Sequence, residues 1–118
     1  MKRADNDEAL QKQLRHVLQT SETSLSYGSL ARHLDVPGPG VIARVTTALE
    51  ATMRDDMAAG RPFIAAMCEG KLSGGMPALG FFQMAAALGR YTGPADGPEA
   101  VAFVQQERAL LRSARHQR

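Results

Sequence analysis

Disulfides, membrane spans and a strong excess of one charge are all missing from this chain. One cysteine among 118 residues excludes an internal disulfide framework and fits a reducing compartment. No apolar run approaches the roughly 20 residues needed to span a bilayer. The opening MKRADNDEALQKQ is charged where a signal peptide would carry its apolar core, so a cytoplasmic, bacterial-type protein with no membrane partner is expected. The net charge of +2 is too small for indiscriminate coating of nucleic acid, although a sequence pI near 9.0 leaves room for a local basic patch. His16, His33 and His116 are widely spaced and have no cysteine or carboxylate at metal-ligand spacing, so no metal or other cofactor is expected. Gly70, Gly74 and Gly75 lack the strand-loop-helix context of a phosphate-binding motif, which argues against a nucleotide site. No internal repeat or low-complexity array is visible.

What is present is the composition of a soluble globular protein, 44% hydrophobic and 22% charged. The chain is long enough to bury about two-thirds of its unfolded surface as a single domain over residues 1–118. Its organising stretch is Ser24 to Met53, inside a core of residues 24–54. Tyr27, Leu30, Ala31 and Leu34 fall on one face of a helix, and Val41, Val45, Ala48 and Leu49 repeat that stripe, which Thr52 extends. Between them, Asp35 to Gly40 (DVPGPG) can neither continue a helix nor pair as a central strand. Two short amphipathic helices joined by such a corner read as a helix-turn-helix.

Around it the sequence predicts a first helix from about Glu8 to Thr20, with Ser26 as N-cap of the helix at Tyr27. Gly60 stops the third helix. FIAAMCEG reads as a short strand, the glycine-rich KLSGGMPALG as a loop, and Leu79–Phe82 as a returning strand, together a β-hairpin wing over about 62–82. Helical spacing resumes to Leu88, and a last helix covers about 98–113 from Pro98. The expected fold is therefore mainly α, a winged helix-turn-helix with a short β-hairpin wing and flanking N- and C-terminal helices. The same string of elements also describes an irregular helical bundle.

The run Ser26-Tyr27-Gly28-Ser29-Leu30-Ala31, then Pro37, then Arg44-Val45-Thr46-Thr47-Ala48-Leu49 resembles the winged helix-turn-helix of O6-alkylguanine-DNA alkyltransferases and their alkyltransferase-like relatives. Arg61-Pro62-Phe63 and Gly74-Gly75 continue the likeness, which covers about residues 24 to 80. The resemblance implies that the second helix of the pair enters the minor groove of DNA, that a tyrosine at Tyr27 helps rotate a nucleotide out of the stack, and that a recognition-helix arginine fills the gap. Ala43 occupies that arginine's aligned place, with Arg44 beside it. The family's Pro-Cys-His-Arg acceptor run would fall near Phe63–Ala66, where no such residues stand. Cys68 comes later and lacks the neighbouring histidine that would activate a thiolate, so it is expected to be a buried small hydrophobe and the chain to be no enzyme.

The nucleic-acid-binding residues expected on this reading are Tyr27, Arg44, Thr47, Arg54 and Lys71, with Ala51 on the same helix face and Ser73 beside Lys71. Asp55-Asp56 reads as a surface pair at a helix end. Glu107 lies on the otherwise apolar face formed by Ala100, Phe103, Val104, Leu110 and Leu111, so it needs an arginine partner such as Arg61 or Arg90. Two functions follow. The first is a non-catalytic DNA-binding module, regulatory or recognising distorted double-stranded DNA. The alternative is a protein-protein interaction module on the same scaffold, with the terminal helices as partner or homodimer surface. A basic surface running from the second helix to Lys71 favours DNA; an exposed apolar patch there favours a protein partner.

Overall fold

A computed structural model describes residues 7–36 and 38–116, and the side chains among them through residue 114. Five helices dominate: α1 (Asp7–Thr20), α2 (Tyr27–Leu34), α3 (Val41–Ala59), α4 (Leu79–Leu88) and α5 (Pro98–His116). A 3₁₀ turn (Ile64–Met67) and two strands of two residues each, β1 (Leu25–Ser26) and β2 (Cys68–Glu69), complete the elements among the described residues. The mainly helical class expected from the sequence is thus present.

Local chemistry explains where the helices begin and end. Ser26 is extended, and its Oγ accepts the Ser29 N–H at 3.1 Å, which caps α2. α2 ends where Asp35 turns left-handed (φ 49°), and α3 resumes at Val41 behind Gly40, so the corner separates two helices. Gly60 closes α3 with φ 69°, its N–H bonded back to Asp56 and Met57 carbonyls.

The wing differs from expectation. Among the described residues no antiparallel hairpin forms over 62–82. β2 pairs instead with β1, in parallel, with Leu25 opposite Cys68 and Ser26 opposite Glu69. Parallel pairing requires a long crossover, and α2 with α3 supplies it. The Leu79–Phe82 run expected to return as a strand is the first turn of α4. A short apolar run reads equally as strand or buried helix, and here the helix wins.

The core lies where α1, α2, α3, the 3₁₀ turn and α4 meet. Leu10, Leu14 and Leu18 of α1 face Val45, Leu49 and Met53 of α3, with Leu30 and Leu34 of α2 beside them. Cys68 and Met67 are buried in the same cluster, and Met57, Met76 and Met84 pack at its edge, as packing residues should. Phe81 makes edge contacts with Phe63 and Phe82, and Tyr91 stacks on Phe103 with centroids 4.6 Å apart. α5 buries Ala100, Val104 and Glu107, whereas Leu110, expected on that face, is exposed.

Two buried carboxylates fix the entry to the 3₁₀ turn. Asp56 Oδ2 accepts the Ile64 N–H at 2.9 Å, while Oδ1 takes Arg15 Nη1 at 2.8 Å and Arg61 Nε at 3.0 Å. Asp56, expected at the surface, is fully buried. Glu107 Oε1 accepts the Phe63 N–H and Arg90 Nη1, each at 3.0 Å, and the Arg90 guanidinium lies 4.0 Å over the Phe63 ring. The arginine required for Glu107 is therefore Arg90.

Candidate functional site

α3 presents its outer face through a simple phase relation. Val45, Leu49, Thr52 and Asp56 point inward, which leaves Ala43, Thr47 and Arg54 exposed on the opposite side. Arg44 is half-buried and stands three turns before Asp55, on the same stripe; Asp55 accepts a hydrogen bond from Gln11 of α1 at 2.5 Å. Arg44 therefore belongs to the α1 flank of α3. Thr46 and Glu50 lie on the other flank, where they line a cleft with Tyr27, Cys68, Pro77 and Gly80.

That cleft holds Tyr27 in place. The ring is half-buried, Thr46 shares the cleft wall with it, and burial raises its pKa above the ordinary phenol value. The cleft measures about 20 Å³, room for a single water and far too small for a nucleobase. Cys68 forms part of its wall. Burial, then the neighbouring Glu69 charge, pushes the thiol pKa up to about 12, so it stays protonated near neutral pH.

Comparison with protein-family models, with curated proteins and with solved structures gives no significant match. Geometry alone thus carries the functional reading.

The loop between β2 and α4 replaces the wing and is tightly held. Gly70 N–H bonds to Met76 O at 2.9 Å, Ser73 N–H to Gly70 O at 3.3 Å and Met76 N–H to Ser73 O at 3.1 Å. Arg108 of α5 reaches across with Nε on Ala66 O and Nη2 on Gly75 O, both 2.8 Å. Gly70 has no alternative here, since an added Cβ would sit 2.7 Å from Ala78 Cα. At the tip stand Lys71, exposed, and Leu72, 96% exposed and left-handed with φ 56°. A leucine in that conformation, fully in water on a pinned loop, is unusual on both counts.

The five residues expected to bind nucleic acid are thus spread out. Thr47 and Arg54 share the outer face of α3, Tyr27 sits in the cleft on one flank, and Arg44 lies on the opposite flank. Lys71 extends from the loop that leads toward the cleft side. Glu50 and Asp55 balance Arg44 and Arg54, so α3 carries no net charge outside its buried Asp56. Sequence reasoning missed Leu72, Arg108 and Asp56. For Asp56 the signal was present, because it continues the inward stripe of Val45, Leu49 and Thr52 at helical spacing. For Leu72 and Arg108 no local signal existed.

Proposed function

We propose that the chain is a non-catalytic DNA-binding module that approaches duplex DNA with the outer face of α3 and the loop at residues 70–78. The observation that carries this reading is Leu72, an apolar side chain presented to solvent beside Lys71 on a loop pinned by α5. Apolar wedges between base steps, flanked by cations on the backbone, are how minor-groove and architectural proteins grip and bend DNA. Arg54, Thr47 and Arg44 would contact phosphates or sugars along the groove. The small cleft at Tyr27 and the protonated Cys68 thiol support binding without base extrusion or alkyl transfer. A winged helix-turn-helix is part of this proposal, with the pinned loop standing where a hairpin wing would.

Gel-shift titration of duplex DNA at two salt concentrations tests the reading. Binding at micromolar protein and low salt, weakened by salt, is expected; no shift under those conditions sinks it.

A second reading is favoured by the neutral charge along α3 and by exposed Ile42 and Leu79. Ile42 lies one turn before Thr46, and Leu79 adjoins Gly80, so each neighbours a residue on the rim of the Tyr27 cleft. On this reading that rim meets a protein, including a second copy of the chain. A concentration-dependent dimer in light scattering, abolished by Leu79→Asp, would favour it over DNA.

A further inference from the structure

Between the end of α1, the Asp56 end of α3, the 3₁₀ turn and the last turns of α5 lies a cavity of about 160 Å³. Leu18, Ile64, Met67 and Leu111 form its apolar wall. Arg15, Arg61, Arg112 and Asp56 stand on its polar side, three arginines to one carboxylate, with Arg15 and Arg61 paired to Asp56. Both oxygens of that carboxylate are already engaged, by Arg15, Arg61 and the Ile64 amide. Nη2 of Arg15 is the only buried side-chain nitrogen or oxygen among the described residues that has no hydrogen-bond partner. That nitrogen is closed off from solvent, so the positive charge of the cavity lining that a ligand can reach is that of the exposed Arg61 and Arg112.

We infer that this cavity binds a small monocarboxylate with an apolar body, an aromatic or branched aliphatic acid about the size of benzoate. A cavity of about 150 Å³ with apolar walls accommodates a benzene ring, which sets the size of the body. The guanidiniums set the charge and its geometry, since a planar fork matches a carboxylate. A bare inorganic anion would leave the apolar wall unused, and a neutral ring would leave the charge surplus unanswered. Arg61, whose side chain is 53% exposed, is part of the lining, so entry needs no opening of the core. The inference is independent of DNA binding and involves a different face of the molecule.

Titration of benzoate, benzamide and inorganic phosphate into isotopically labelled protein, followed by amide shifts in nuclear magnetic resonance, tests it. Benzoate should perturb Leu18, Ile64 and Met67 and saturate in the millimolar range. Benzamide should bind at least ~10-fold more weakly, the loss of a charge-assisted pair, and phosphate should leave those amides unmoved. Leu111→Trp fills the cavity away from the Asp56 ion pairs and should abolish the response. Arg112→Gln, at an exposed position, should weaken it several-fold with an otherwise unchanged spectrum, and decides the matter should the tryptophan variant fail to fold. The inference is overturned by no shifts at ~10 mM benzoate, by equal binding of benzamide or phosphate, or by an unchanged affinity in the folded variants.

Discussion

Asp56 of α3 and Glu107 of α5 accept successive backbone amides, those of Ile64 and Phe63, and so clamp the start of the 3₁₀ turn from two sides. Neither carboxylate is exposed, and each is matched by arginines, Arg15 and Arg61 for one and Arg90 for the other. The turn leads directly into β2 and the loop bearing Leu72, so the clamp sets the loop's position as well as the fold's stability.

Removing one side of a buried charge network leaves the other uncompensated, which costs about 3–5 kcal/mol. Asp56→Ala is therefore expected to lose that much in urea unfolding, because Arg15 would be stranded together with the Ile64 amide. Arg61→Ala should cost far less, near 1 kcal/mol or below, since that side chain is half in water. Equal losses for the two variants would contradict the asymmetry.

Glu107→Gln keeps an acceptor for the Phe63 amide but removes the charge facing Arg90. A loss of about 1–3 kcal/mol is expected, with Arg90→Met partly restoring stability in the double variant. A strictly additive double variant would show that the pair is not coupled.

The Cys68 thiol gives a pH signature. Its pKa in the fold is about 12 against an ordinary value near 9.0, so the folded chain holds the proton more tightly than the unfolded one. Stability from this source is fully present below pH ~9 and declines as pH rises toward ~12, by at most about 1.4 kcal/mol per pH unit. Tyr27, also raised, adds loss of the same sign at higher pH. Cys68→Ala should flatten the alkaline decline measured by denaturant unfolding between pH 8 and ~10.5. Iodoacetamide should label Cys68 only in denaturant; rapid labelling of the native protein would refute its burial.

Gly70→Ala forces a methyl group against Ala78 and should disorder the loop. Arg108→Gln releases the Ala66 and Gly75 carbonyls and should do the same more mildly. Hydrogen exchange at Ser73 and Met76 should rise in both variants, with α1 and α3 protection retained in Arg108→Gln. Unchanged exchange would mean that the loop does not depend on its α5 strut.

The sequence revealed most where cause and effect are close together. Ser26 as a cap, Gly60 as a stop and Pro98 as a first-turn residue each act within a turn of their own position, and all appear as read. The strand and the loop between Phe63 and Phe82 are present, but their pairing is not local, because distant groups shape it: Asp56, Glu107 and Arg108 supply the polar partners, and β1 pairs with β2 from the far side of two helices. For Asp56 charge and helical phase point opposite ways in the sequence, and the inward stripe prevails because two arginines and a backbone amide meet the carboxylate. Of the expected site, Thr47 and Arg54 could be placed by helical phase alone. The separation of Arg44 from Lys71 could not, since it depends on which flank of α3 each neighbouring element covers.

On the proposed function, α3 and the pinned loop meet duplex DNA. Fluorescence anisotropy of a labelled duplex, titrated between 50 and 200 mM salt, measures it directly. Three cations, the exposed Arg54 and Lys71 and the half-buried Arg44, predict an affinity that falls by up to roughly 40-fold over that range. Arg54→Gln should flatten the salt slope by about 1, and Leu72→Ser should weaken binding without changing the slope. An affinity independent of salt, or one untouched by both substitutions, would contradict the claim.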